Sequence, residues 1–77
     1  MPHVIVKLYP GRTEEQKLEL TARLIKDIKE TLGAGDDSIS VAIEEVDPEE
    51  WGKAVYKPDI LDKEDTLYKK PGYKMEP

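Results

Sequence analysis

A chain of 77 residues carrying 12 basic and 17 acidic side chains, a net charge of −5 and no cysteine has room for one domain, 1–77, and buries only about 60% of its unfolded surface by itself. Disulfide staples and thiolate zinc sites are excluded, and a single histidine, His3, argues against any other metal cluster. Scattered basic residues argue against nucleic acid, no apolar run nears the roughly 18 residues of a membrane span, and no signal-peptide pattern opens the chain. The expectation is a soluble cytoplasmic protein that gains core by oligomerising.

The chain opens Met1-Pro2. Methionine is normally excised ahead of a small residue such as proline, which would leave Pro2 with a free secondary amine. An ordinary α-amino group titrates at roughly 7.7–8.0, and a secondary amine sits higher. Desolvation or a neighbouring cation disfavours the ammonium and brings such a group towards neutrality, where it serves as a base. The plainer account is also available, since proline at a strand's first residue has no ladder N–H to lose. With Met1 retained, the Pro2 nitrogen is an amide and no base at all.

Residues 2–8 alternate, with Val4, Val6 and Leu8 on one face of a strand and His3, Ile5 and Lys7 on the other. Tyr9-Pro10-Gly11 breaks it. Thr13-Glu14-Glu15-Gln16 then has the capping-box pattern, and Leu18, Ala22, Leu24, Ile25, Ile28 and Leu32 repeat at helical spacing. Gly33 and Gly35 supply a stop, so the spacing predicts a helix over 14–32.

Residues 38–46 read as a second strand, with Ile39, Val41 and Ile43 on one face. Strand, crossover helix and strand of this spacing form a βαβ unit, so the strands are expected parallel. One helix covers one face only, and a two-stranded sheet is hardly stable alone. That again points to a homo-oligomer.

Asp47-Pro48-Glu49-Glu50 reads as a second capped helical start, with Trp51 in its first turn and Gly52 ending it. Val55 and Tyr56 read as a short strand before Pro58. Ile60, Leu61, Leu67 and Tyr68 suggest a further short helix, and Lys70-Pro71-Gly72-Tyr73 a closing turn.

Arg12 stands just before a helix N-terminus, where the macrodipole disfavours cations. It is either a solvated loop arginine or, with exposed N–H groups, a carboxylate site. Trp51 is either a buried anchor or an apolar wall that lowers the dielectric beside the amine, and an oligomer reconciles the two. The runs Glu44-Glu45 and Glu49-Glu50 read as solvated.

In order and spacing, three stretches are similar to the 4-oxalocrotonate tautomerase family: Met1-Pro2 leading a strand, the run from Gly11 to Lys17 opening a helix, and Ser38-Ile39-Ser40-Val41 opening the second strand. Pro48-Glu49-Glu50-Trp51 and the closing Lys70-Pro71-Gly72-Tyr73 resemble the phenylpyruvate-type enol–keto tautomerase branch. The resemblance implies an α/β fold, a βαβ unit with parallel strands that oligomerises to complete its sheet and core. It implies Pro2 as catalytic base, Arg12 as the holder of a substrate carboxylate and Trp51 as the pocket wall. Ser40 stands where the founding enzyme has a further arginine, which disfavours a dicarboxylate and favours a monocarboxylate such as an enolpyruvate.

The implied activity is cofactor-independent isomerisation of a 2-hydroxy-2-enoate to its 2-keto acid, without metal, nucleic acid or membrane. Ser40 or Tyr56 is the expected hydrogen-bond donor at the carbonyl oxygen. The family forms dimers and hexamers; the dimer is expected here, with the segment 58–77 at its interface. Two alternatives stand beside this reading: a non-catalytic dimeric binding module of the same fold, and a hydratase or dehalogenase of an unsaturated acid.

Overall fold

The computed structural model describes residues 1–76. Two six-residue strands, β1 (His3–Leu8) and β2 (Ser40–Glu45), flank a 19-residue helix, α1 (Glu14–Leu32). The strands pair in parallel, with His3 opposite Ser40 and Leu8 opposite Glu45. The expected βαβ unit is therefore present. In this register Val4 and Val6 lie beside Val41 and Ile43 on one face, and His3, Ile5 and Lys7 lie beside Ser40, Ala42 and Glu44 on the other.

Both ends of α1 are built as the capping pattern predicts. The Thr13 hydroxyl accepts from the Gln16 N–H at 3.1 Å, and the Gln16 side chain accepts from the Thr13 N–H at 2.8 Å. Gly33 closes the helix at φ 68°, its N–H bonded to the Lys29 carbonyl, a conformation that would strain a side-chain-bearing residue. A Lys17–Glu45 ion pair at 2.8 Å joins α1 to the valine-rich face, and that hydrogen bond lifts the Lys17 ammonium above the ordinary lysine range.

The stripe that α1 turns inward differs from the expected one. Lys17, Thr21, Leu24, Ile25 and Ile28 are half-buried, whereas Leu18 and Leu32 are 62% and 69% exposed. The apolar arc of this helix is wider than a two-stranded sheet can cover, so its margins stay in solvent.

Beyond β2 the chain departs further from expectation. Helix α2 (Pro48–Trp51) does not stop at Gly52; it continues as a wider, π-helical stretch over Gly52–Leu61. Gly52 is buried and right-handed, at φ −58° and ψ −46°, so it packs closely instead of turning the chain. Pro58 lies inside this stretch, where its missing N–H disrupts a regular ladder. The wider winding shows in the Asp62 N–H, which reaches the Lys57 carbonyl at 2.9 Å. Val55 and Tyr56 are thus helical, not a strand. Ile60 and Leu61 belong to the same helical run, while Leu67 and Tyr68 lie past a single turn at Glu64–Thr66.

Val55 and Tyr56, 5% and 6% exposed, are the whole buried hydrophobic core among the described residues. The π-helical stretch approaches the open sheet face, where Asp59 is paired to Lys7 at 2.5 Å, yet Ile5 on that face stays 49% exposed. A core of two side chains is too small to hold a domain of this size. Of the segment expected at an interface, Pro77 lies outside the described residues.

Candidate active site

The sequence-derived site residues fall at two places. Pro2 precedes β1, and its carbonyl accepts from the Ser40 N–H at 3.2 Å. Beside it the Ser40 hydroxyl is 2.6 Å from His3 Nδ1, the two residues being register partners. Ser40 thus lies at the Pro2 end of the sheet, with its hydroxyl already engaged.

Arg12 and Trp51 meet at the other end. Gly11, at φ 127°, takes a backbone conformation that other residues avoid, and the chain leaves β1 there so that Arg12 returns towards Leu8. A cavity of ≈ 580 Å³ opens at this corner, walled by Leu8, Tyr9, Arg12 and Trp51 and closed by Tyr73, Lys74 and Met75 of the C-terminal segment. The rings of Tyr9 and Trp51 stand edge to face, 5.1 Å between centroids and 88° between planes, an arrangement that aromatic quadrupoles favour. The Trp51 Nε1–H donates to the Tyr73 hydroxyl at 3.0 Å.

Electrostatically this corner is one-signed. Among the described residues Lys7, Arg12 and Lys74 line the cavity and no carboxylate does, although the chain carries a net charge of −5. The Lys7 head is taken up by Asp59, whose hydrogen bond holds the ammonium above the usual lysine range against an opposing desolvation. Arg12 offers the planar, multi-donor fork that suits a carboxylate. Cations beside aromatic walls make a receptor for an anion with an apolar arm.

Within one chain Pro2 and the Arg12 corner lie apart. Six strand residues at about 3.3 Å each lie between Pro2 and the Arg12 corner, so Trp51 does not wall the Pro2 nitrogen of its own chain. Tyr56, expected as a possible donor to the substrate, is buried against Tyr73 and does not line this cavity. Tyr9, Tyr73 and Lys74 were missed as pocket residues. For Tyr73 the one signal was an aromatic placed on a closing Pro-Gly turn.

Comparisons with known proteins identify the family. A family model described as tautomerase enzyme matches residues 2–56. A probable tautomerase of Xylella fastidiosa is 42% identical over 73 residues, 95% of this chain and 89% of that one. Tautomerase PptA of Pectobacterium carotovorum is 45% identical over 74 residues, 95% and 97% of the two chains. Among solved structures, YwhB, a homologue of 4-oxalocrotonate tautomerase, superposes with a TM-score of 0.58 at 46% identity, over 60% of this chain and 75% of that one. The homologue TTHB242 gives 0.63 at 32% identity, over 77% and 95%. Cover of this extent and identity shows the family: the chain belongs to the 4-oxalocrotonate tautomerase family, and it is a tautomerase, an isomerase.

Proposed function

We propose that the protein interconverts the enol and keto forms of a 2-keto acid, with the amine of Pro2 as its base and the Arg12 corner as its carboxylate site. The observation that carries this reading is the cavity itself, with cations on its walls, no carboxylate among the described residues, and aromatic rings for an apolar arm. Removal of Met1 frees the Pro2 nitrogen. The neutral amine takes the proton from the enol hydroxyl, the freed O–H pair forms the carbonyl π bond, the C=C π pair shifts to the carbon next to it, and the ammonium gives that carbon the proton. General acid–base transfer of this kind contributes about 10²–10⁴-fold, and positioning by Arg12 supplies a further part.

Separation of Pro2 from Arg12 along β1 leads to a site shared between subunits. Pro2 of one copy closes over the Arg12–Trp51 cavity of another, where Trp51 and Leu8 exclude water from the amine. Sharing also supplies the missing core, since a second copy covers apolar surface such as Ile5, Leu18 and Leu32. A homodimer is the simplest assembly that does both. A monocarboxylate substrate suits this cavity: among the described residues Arg12 is its only arginine, and of its lysines Lys7 is already paired with Asp59.

The test is ketonisation of the enol of phenylpyruvate, followed by its ultraviolet absorbance. Pro2→Ala removes the secondary amine and is expected to abolish the catalysed rate. Unchanged turnover in that variant would overturn the proposal.

A further inference from the structure

Tyr73 reaches the cavity from 22 positions beyond Trp51 and makes two contacts there. Its hydroxyl accepts the Trp51 indole N–H at 3.0 Å. Its ring lies 5.7 Å from that of Tyr56, centroid to centroid, with 36° between the planes, and Tyr56 is anchored in the core. Tyr73 also lines a second hollow, of ≈ 270 Å³, and with Lys74 it is shared between that hollow and the Arg12 cavity.

We propose that Tyr73 is a positioning residue of the tautomerase site: by accepting the indole hydrogen bond it fixes Trp51 as a wall of the Arg12 cavity. The proposal rests on reading that cavity as the substrate site. An indole N–H is a donor with no acceptor role, so a single well-placed oxygen settles which way the ring faces. A wall already fixed loses little freedom when substrate arrives, whereas a loose one must be ordered at the cost of affinity. Because the wall meets ground state and transition state alike, its loosening raises KM and leaves kcat nearly unmoved.

Tyr73→Phe keeps the ring against Tyr56 and removes only the acceptor oxygen. Trp51 is the one tryptophan of the chain, so its emission reports binding of phenylpyruvate independently of the ketonisation assay. The expected result is a Kd, and a KM for ketonisation, raised on the order of threefold to tenfold, with kcat changed less than about twofold. Trp51→Phe keeps an aromatic wall but removes the donor. It is expected to raise KM by a similar factor, and Tyr73→Phe added to it should cost nothing more. An unchanged Kd and KM in Tyr73→Phe, a loss confined to kcat, or a full additive penalty in the double variant each overturns the positioning role. Should phenylpyruvate leave the emission of the unaltered protein untouched, the cavity reading falls and this role with it; equal Kd values remove the role alone.

Discussion

Pro2 and Arg12 stand at opposite ends of β1, and the six residues of that strand, at about 3.3 Å each, put roughly 20 Å between them. That is longer than an arginine side chain can bridge, so a small keto acid cannot touch both residues of one chain. If the two act on one molecule, each site takes Pro2 from one subunit and Arg12 from its partner. The perturbation is to make Pro2→Ala and Arg12→Ala separately, unfold them together, and let subunits reassociate. In a two-fold dimer a mixed pair holds one site with both defects and one site with neither. Random pairing makes about half of the dimers mixed, so about a quarter of the unaltered sites should return. Ketonisation of phenylenolpyruvate, measured across mixing ratios, should peak near equal amounts. A mixture no more active than its separately refolded components at every ratio would refute the shared site.

Three single perturbations add to this. If Arg12 holds the substrate carboxylate as proposed, Arg12→Ala removes charge-assisted hydrogen bonds worth about 1.5–3 kcal/mol, so kcat/KM in the same assay should fall roughly 10- to 150-fold. Asp59→Asn frees Lys7 from the π-helical stretch and should cost about 0.5–1 kcal/mol in urea unfolding. Because Asp59 raises the folded-state pKa of Lys7 above 10.5, the pair's contribution is fully present below that value and is lost as pH climbs through the raised one. The stability gap between Asp59→Asn and the unaltered protein should therefore narrow as the pH rises beyond 10.5, and a gap that widens there would contradict the assignment. Thr13→Ala deletes the cap at the Arg12 end of α1 and should destabilise the fold by about 1 kcal/mol, read in the same unfolding experiment.

Local rules made the first half of the fold legible. Alternation in β1 and β2, the Thr13–Gln16 box and Gly33 are decided within a few residues, although β2 is shorter than the expected 38–46 because a single 3-10 turn takes up Asp36–Ser38. After Asp47 the deciding forces are tertiary. Gly52 punctuates a chain in isolation, but here it is a right-handed, buried residue because the helix it belongs to packs through it. Val55 and Tyr56 carry strand-favouring side chains, yet burial in the small core holds them in a helix. The inward stripe of α1 was likewise unreadable, since its sequence shows a broad apolar arc without saying which edge the sheet will cover.

The site divided in the same way. Arg12 and Trp51 were identifiable as residues, and the structure brings them to one cavity. Tyr73 escaped because its bond to Trp51 spans 22 positions, and no periodicity links the two. Pro2 was legible as a chemical possibility, but its distance from Arg12 depends on strand direction and length. Those become visible only once β1 is laid out in space.

The central claim is an unblocked proline amine at the head of the chain, and intact-mass determination of the protein as isolated from cells tests it most directly. The account predicts a mass short by one methionine residue, with Pro2 first. A mass that includes Met1 would leave the Pro2 nitrogen as an amide, and it would contradict the account.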